Sequence, residues 1–182
     1  MSGKSLHYET DTDDVTQFEY GSSHYALLIG ATFGKSDQWV VGQSFVNWSR
    51  TEKDEDSAAD GEIALLELGP RFQYFFNTAR TIYLAFTYNF YAKGTRNVAG
   101  EEYDISGTGM LAAFGAQFKI SKKFYIGFSL NYHSVGISEE SQDSTKSDVS
   151  NSYTMIYPAV EMSFRFKKRA KKLAPFIKKS VY

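Results

Sequence analysis

Six side chains are of a type that moves protons or supplies counter-charge: Glu67, Arg71, Lys119, His133, Glu161 and Arg165. All fall at odd positions in stretches whose even positions are mostly apolar. If those stretches are strands, all six project from the less apolar face, because successive side chains alternate. Facing charges of both signs can line a pore or a proton path. They can equally fill an interior as ion pairs, since buried charges need partners. The pairing network is the favoured expectation, with Arg71 and Glu161 as partners because they occupy equivalent places near their strand ends.

Nucleophilic chemistry finds less support. A hydroxyl nucleophile needs a base within hydrogen-bond reach. His133 and Ser134 are consecutive, so a strand sends them to opposite faces. His7 and His24 have no evident triad partners. Cys is 0, which excludes a thiolate nucleophile, a thiolate zinc site and a disulfide scaffold. With 3 His, a His-rich metal centre is not expected. The acidic runs Asp11-Thr12-Asp13-Asp14 and Asp54-Glu55-Asp56 lack the Asp-x-Asn/Asp-Gly spacing of a calcium loop and are expected to be solvated. No cofactor or metal is expected. The formal net charge of -1 argues against nucleic-acid binding.

The elements that position these groups read as strands. In residues 62–76 the even positions are Ala64, Leu66, Leu68, Pro70, Phe72, Tyr74 and Phe76. The odd ones include Ile63, Leu65, Glu67, Gly69, Arg71 and Gln73. Period two repeats over residues 25–33, 81–93, 110–120, 124–132 and 156–166. Residues 38–49 are ambiguous, because Trp39, Val41 and Phe45 share a face with Gln43 and Asn47. Short connections are expected at 34–37, 77–78 and 121–123, and long ones near 51–61, 94–102 and 138–151. That makes seven strands. An eighth is expected at 4–10, followed by a long loop near 11–23; the alternative is 15–20 with a short loop at 21–23.

The apolar faces decide the environment. Aromatics are 16% of the chain, with 15 Phe and 13 Tyr. So many rings do not fit inside eight strands, whose interior is barely wide enough for side chains. In water they would form an apolar patch far above what soluble monomers tolerate. A lipid surroundings removes the conflict, and a strand of about 9–11 residues crosses a bilayer when tilted. The opposite face is rich in Gly, Ala, Ser and Thr with isolated charges, as suits a narrow interior. The expected fold is all-β: an eight-stranded antiparallel up-and-down transmembrane β-barrel over residues 1–166. Trp39, Trp48 and Tyr157 are expected at the membrane interface or in packing.

Charge is sorted between the two rims. Asp11, Asp13, Asp14, Glu52, Asp54, Glu55, Asp56, Glu101, Glu102, Glu139, Glu140 and Asp143 gather in or beside long loops. Lys35, Lys122, Lys123, Lys167, Lys168, Arg169, Lys171 and Lys172 gather in short turns and the tail. That tail, residues 167–182, is expected to be a basic extension, either solvated or acting as an arm with Leu173, Phe176, Ile177 and Val181 as apolar anchors.

With these features the chain resembles the small eight-stranded outer-membrane β-barrels of Gram-negative bacteria, the OmpA/OmpX/OmpW-like superfamily. Val160, Met162, Phe164 and Phe166 resemble the C-terminal assembly signal of such barrels. The resemblance implies recognition by barrel-assembly machinery, and contact with outer-membrane lipids and lipopolysaccharide. It places the long loops outside and the tail in the periplasm, where it would meet lipid head groups or a periplasmic protein. Divalent bridging of the acidic loops to lipopolysaccharide phosphates is the lesser alternative to their being solvated. The start MSGKSLHYE has no apolar stretch of a signal peptide and is read as a processed or trimmed start. The implied role is structural, adhesive or partner-binding, without catalysis, the lumen being plugged by inward charges and rings. The alternatives are a narrow channel or lateral path for small hydrophobic molecules, and an enzyme acting on lipid A. Barrel lipid A deacylases space their pair His-x-Ser, unlike His133-Ser134 here.

Overall fold

The computed structural model describes residues 2–8, 15–34, 37–54, 61–142 and 145–166. They form β1 (Ser2–Tyr8), β2 (Val15–Phe33), β3 (Trp39–Asp54), β4 (Gly61–Phe75), β5 (Ile82–Val98), β6 (Glu101–Lys119), β7 (Phe124–Gln142) and β8 (Thr145–Phe164). Each strand pairs with the next in sequence order, always antiparallel. The seven long strands β2–β8 make the wall, and β1 lies along the first part of β2, from Ser2 opposite Gly21 to Tyr8 opposite Val15. The expected first strand at 4–10 is thus placed slightly earlier, and its last two residues lie outside the described ones. The alternative at 15–20 is strand as well. Residues 15–23, expected within a long loop, are the opening of β2 instead.

The wall is curled tightly. Laid flat, β2 and β8 would stand about 29 Å apart at the usual spacing of strands. Yet the rings of His24 on β2 and Tyr157 on β8 stack with centroids 4.1 Å apart. Curling gives the sheet an inner and an outer face, and the sequence alternation sorts between them. Tyr25, Leu27, Ile29, Leu84, Phe86, Tyr88, Phe114, Phe118, Phe128, Leu130, Ile156, Val160 and Met162 are all exposed outside. On β6 the outer apolar run spans residues 110–120 and on β8 residues 156–166, about the ten residues of a tilted bilayer crossing. β3 resolves the ambiguous segment: Trp39 and Phe45 are outside, while Val46 and Trp48 are buried inside. Trp39 packs on Tyr74 on the outer wall.

The strands continue well past this apolar belt. At about 3.3 Å per residue, the 20 residues of β8 exceed a lipid band about 25 Å tall. Much of the sequence expected as long loops is therefore strand. Residues 94–102 form a tight hairpin whose corner residues Ala99 (φ 53°) and Gly100 (φ 85°) both have positive φ, as a two-residue hairpin turn requires. Residues 138–142 and 145–151 extend β7 and β8. The period-two pattern fails in these extensions because both faces meet water beyond the belt, which removes the outer apolar signal.

One irregularity reverses the alternation. β5 carries an extra residue between Asn89 and Ala92 relative to β6. Phe90 and Tyr91 consequently both face outward, and Ala92 turns inward. Tyr91 and Lys93, which alternation places on the inner face, are outside, with the Lys93 ammonium 5.8 Å from the Tyr91 ring. A single-residue bulge exchanges the faces of everything beyond it.

The interior is layered. Phe75, Tyr83, Ala85, Leu111 and Ala113 pack near the short turns. Val46, Trp48, Ile63, Leu65, Ala92, Ile105, Val135 and Ile137 pack near the opposite end, with Tyr103, Val149, Tyr153 and Met155 against them. Polar side chains occupy the space between.

Candidate functional site

Glu67 is the centre of the polar layer. Its neighbours on β4, Leu66 and Leu68, face outward, so strand geometry drives the carboxylate inward. It is fully buried. A buried carboxylate demands hydrogen-bond donors, and three strands supply them. Trp48 Nε1 on β3 donates to Oε1 at 2.7 Å. Asn89 Nδ2 on β5 donates to Oε2 at 2.6 Å. His133 Nε2 on β7, also fully buried, lies 2.9 Å from Oε1. β6 contributes space: a methyl group at Gly109 would collide with Glu67 Oε2.

Aromatic rings close this layer around the lumen. His24 stacks on Tyr157 and, at 6.1 Å, on Trp48. It also meets His133 edge-on at 5.9 Å. Side chains from every long strand but β6 thus meet at one level, with a glycine there on β6. Gly109→Ala is expected to destabilise by about 1–3 kcal/mol through overpacking. The check is urea titration of the protein folded in lipid vesicles; a midpoint equal to wild type would show that the carboxylate moves aside freely.

A second polar level lies toward the short turns. Ser129 donates to Glu161 at 2.9 Å, and Asn131 to Ser129 at 3.1 Å. Arg71 reaches Gln73 Oε1 at 3.4 Å. The expected Arg71–Glu161 ion pair does not form: among the described residues no such contact falls within 4.0 Å. The reason is lateral placement. Equivalent heights do not make neighbours when β4 and β8 sit on different sides of the curl. Gly115 on β6 is the counterpart of Gly109 here, since a methyl group there would run into the Tyr83 ring.

The remaining expected residues fall as follows. Arg165 sits beyond β8, its guanidinium 4.0 Å from the Tyr125 ring centroid and 5.0 Å from that of Phe75, a cation–π arrangement. Lys119 is exposed at the end of β6 and takes no part in the interior cluster. Alternation gave it the right face, but the strand ends before the lumen encloses it. Val160, Met162, Phe164 and Phe166 form one exposed outer row, with Phe164 packed on Phe124 at 4.9 Å. Lys167, Lys168, Arg169, Lys171, Lys172 and Phe176 lie outside the described residues.

Sequence reasoning missed Trp48, Asn89, His24 and Tyr157 as members of the cluster. A signal existed for Asn89, at an odd position on β5 in phase with Tyr83 and Thr87. None existed for Trp48, because aromatic residues suit the lumen and the interface equally. Ser134 Oγ lies 3.3 Å from Thr154 Oγ1 on the outer side, while His133 faces Glu67 inside. The two do not make a nucleophile–base pair. Among the described residues no group of three or more His, Asp and Glu is placed to hold a metal ion.

Residues 3–156 match the family described as outer membrane protein beta-barrel domain. No curated protein and no solved structure matches the chain.

Proposed function

The chain belongs to the outer membrane protein beta-barrel domain family, and from that premise we propose that it is a non-conducting, eight-stranded barrel. It serves as a structural or partner-binding scaffold in the outer membrane of a Gram-negative bacterium. One observation supports the non-conducting reading above others. The lumen is filled by side chains at successive levels, with Trp48, Glu67, Tyr83, Asn89, His133 and Val135 each 0% exposed. A conducting pore needs a continuous watered path, and the apolar layer around Ile63, Leu65, Ile105 and Ile137 interrupts one.

The projecting ends of β3–β8 are the surface for partner binding. They carry Glu101, Glu102, Asp104, Glu139, Glu140 and Asp148, with Arg96 paired to Glu140 at 2.7 Å and Lys146 to Glu139 at 2.7 Å. The Lys146 ammonium, hydrogen-bonded to Glu139, is held above its ordinary value. The outer row Val160, Met162, Phe164 and Phe166 is proposed as the signal read by assembly machinery, and the basic tail as the contact to lipid head groups or a periplasmic protein. No catalytic activity is proposed.

A second reading, a lateral path for small hydrophobic molecules, has one observation in its favour. An open apolar groove of about 380 Å³ runs on the outer wall beside Ile82, Phe114, Ala116, Phe128 and Leu130. Planar-bilayer recording tests the main reading. The purified protein is expected to give no stable single-channel steps, and reproducible steps that vanish with antibody or heat would refute it. Uptake of a fluorescent apolar probe into vesicles, abolished by Ala116→Phe, would favour the lateral path.

A further inference from the structure

The outward side chains of β6 alternate in size: Ala112, Phe114, Ala116 and Phe118. Ala116 stands opposite Ile82 on β5 and Phe128 on β7, and partners in an antiparallel ladder point to the same side. A one-carbon side chain is thus ringed by large ones. The groove this leaves is walled by Ile82, Phe114, Phe128 and Leu130. Those four are exposed, while Ala116 is half-buried at the floor. A hydrocarbon chain seated there touches protein on several sides, where a flat wall touches it on one, and dispersion sums over such contacts.

Uncompensated positive charge lies next to the groove. Three residues beyond Ala116 the strand ends at Lys119, and the turn to β7 carries Lys122 and Lys123. At about 3.3 Å per residue the floor of the groove is about 10 Å from Lys119, within the hydrocarbon of one leaflet, about 15 Å deep. All three lysines are exposed. Among the described residues none of them is held in an ion pair. The chain from Ile105 to Ser138 contains neither Asp nor Glu. The neighbouring turn from β4 to β5 is tied to the end of β6, since Gln117 Nε2 donates to the Arg80 carbonyl at 2.8 Å. Asp37 lies against the Arg80 guanidinium at 3.9 Å rather than against a lysine.

The geometry points to a binding site for one anionic phospholipid of the leaflet at the short-turn end. An acyl chain occupies the groove at Ala116, and Lys119, Lys122 and Lys123 meet the phosphate. This rests on the barrel reading and goes beyond it by assigning a lipid class to one place on the wall. Lysine suits the task, because its stem lies along apolar surface while the ammonium reaches head-group level. A zwitterionic lipid gains less, since it brings an ammonium of its own to the lysines. A second copy packed on the groove about an axis along the membrane normal would gather the lysines of both copies in one leaflet, and like charges so placed repel. An apolar molecule passing sideways would leave the lysines without a role.

The test uses the full chain in detergent micelles, read by native mass spectrometry, with phosphatidylglycerol and phosphatidylcholine of identical acyl chains as probes. The first phosphatidylglycerol is expected to be held about a hundredfold more tightly than phosphatidylcholine, at about fivefold for each lysine beside an anionic head group. Lys122→Gln with Lys123→Gln is expected to weaken phosphatidylglycerol about thirtyfold on the same scale and to leave phosphatidylcholine unchanged. Ala116→Phe is expected to weaken both lipids, because it fills the groove. Both variants are expected to keep a gel mobility that shifts on boiling. Should the double lysine variant not fold, Lys119→Gln carries the same comparison, with an expected loss of about fivefold. Equal retention of the two lipids would overturn the site alone, as would unchanged binding in Ala116→Phe. So would a selectivity that survives the lysine changes and disappears when residues 167–182 are deleted, which would assign the head group to the tail. A bound second copy released by Ala116→Phe would give the groove to a dimer instead. A chain without a heat-modifiable form in either lipid would sink the barrel reading and the site with it.

Discussion

Glu67→Ala is expected to destabilise the folded protein by about 3–5 kcal/mol, because several buried donors lose their acceptor at about 1–3 kcal/mol each. The truncation removes acceptors for Trp48 Nε1 and Asn89 Nδ2 and leaves His133 without its carboxylate. All of these groups are buried, so water does not replace the lost contacts without opening the lumen. Glu67→Gln is expected to cost only about 1 kcal/mol, in line with one neutral hydrogen bond rearranged. Its carbonyl oxygen takes the place of Oε1. Its amide then faces Asn89, whose Oδ1 has no other partner and accepts once that side chain flips. Urea titrations in vesicles, followed by gel mobility before and after boiling, measure both. Equal losses for Ala and Gln would show that volume, rather than hydrogen bonding, sets the requirement. A double cycle with His133→Ala separates the pair: coupling below about 0.5 kcal/mol would mean that the 2.9 Å contact contributes little.

Val160→Arg is expected to cost about 2–4 kcal/mol, as for a cation on the lipid face near the midplane. Val160 is 70% exposed and lies midway along the apolar run of β8. In water, substitution at so exposed a place stays within about 0.5 kcal/mol. The size of the effect therefore reports the surrounding medium. Ser152→Arg provides the control, since Ser152 is also exposed on β8, opposite Gly136 and beyond the belt. It is expected to change stability by less than about 0.5 kcal/mol. Matching small effects at both positions would contradict a lipid-facing belt.

The belt was legible in the sequence because lipid imposes a demand on every outward residue that crosses it. Leu84, Phe86 and Tyr88 on β5, or Phe128 and Leu130 on β7, had no other environment available. The strand extensions were not legible. There, Ile105, Val135 and Ile137 face the lumen while their neighbours meet water, and alternation is diluted by Gly, Ser and Glu until it resembles loop sequence. The bulge at Phe90 and Tyr91 was also hidden, since two adjacent aromatics read equally as one face ending or one residue inserted.

The candidate site divides the same way. Strand phase alone sent Glu67, Arg71, His133 and Glu161 inward, because a side chain's face depends only on its position along its own strand. Which of them meet depends on curvature and on the lateral order of strands. These two joined Glu67 to His133, Trp48 and Asn89 and separated Arg71 from Glu161. Sequence by itself determined the all-β class, the lipid-facing belt and the inward set of charges, because each follows from local alternation against a two-sided environment. Tertiary structure decided the partners and the inward place of Trp48. Each of those depends on residues far apart in the chain arriving at one height on one side of a curled wall.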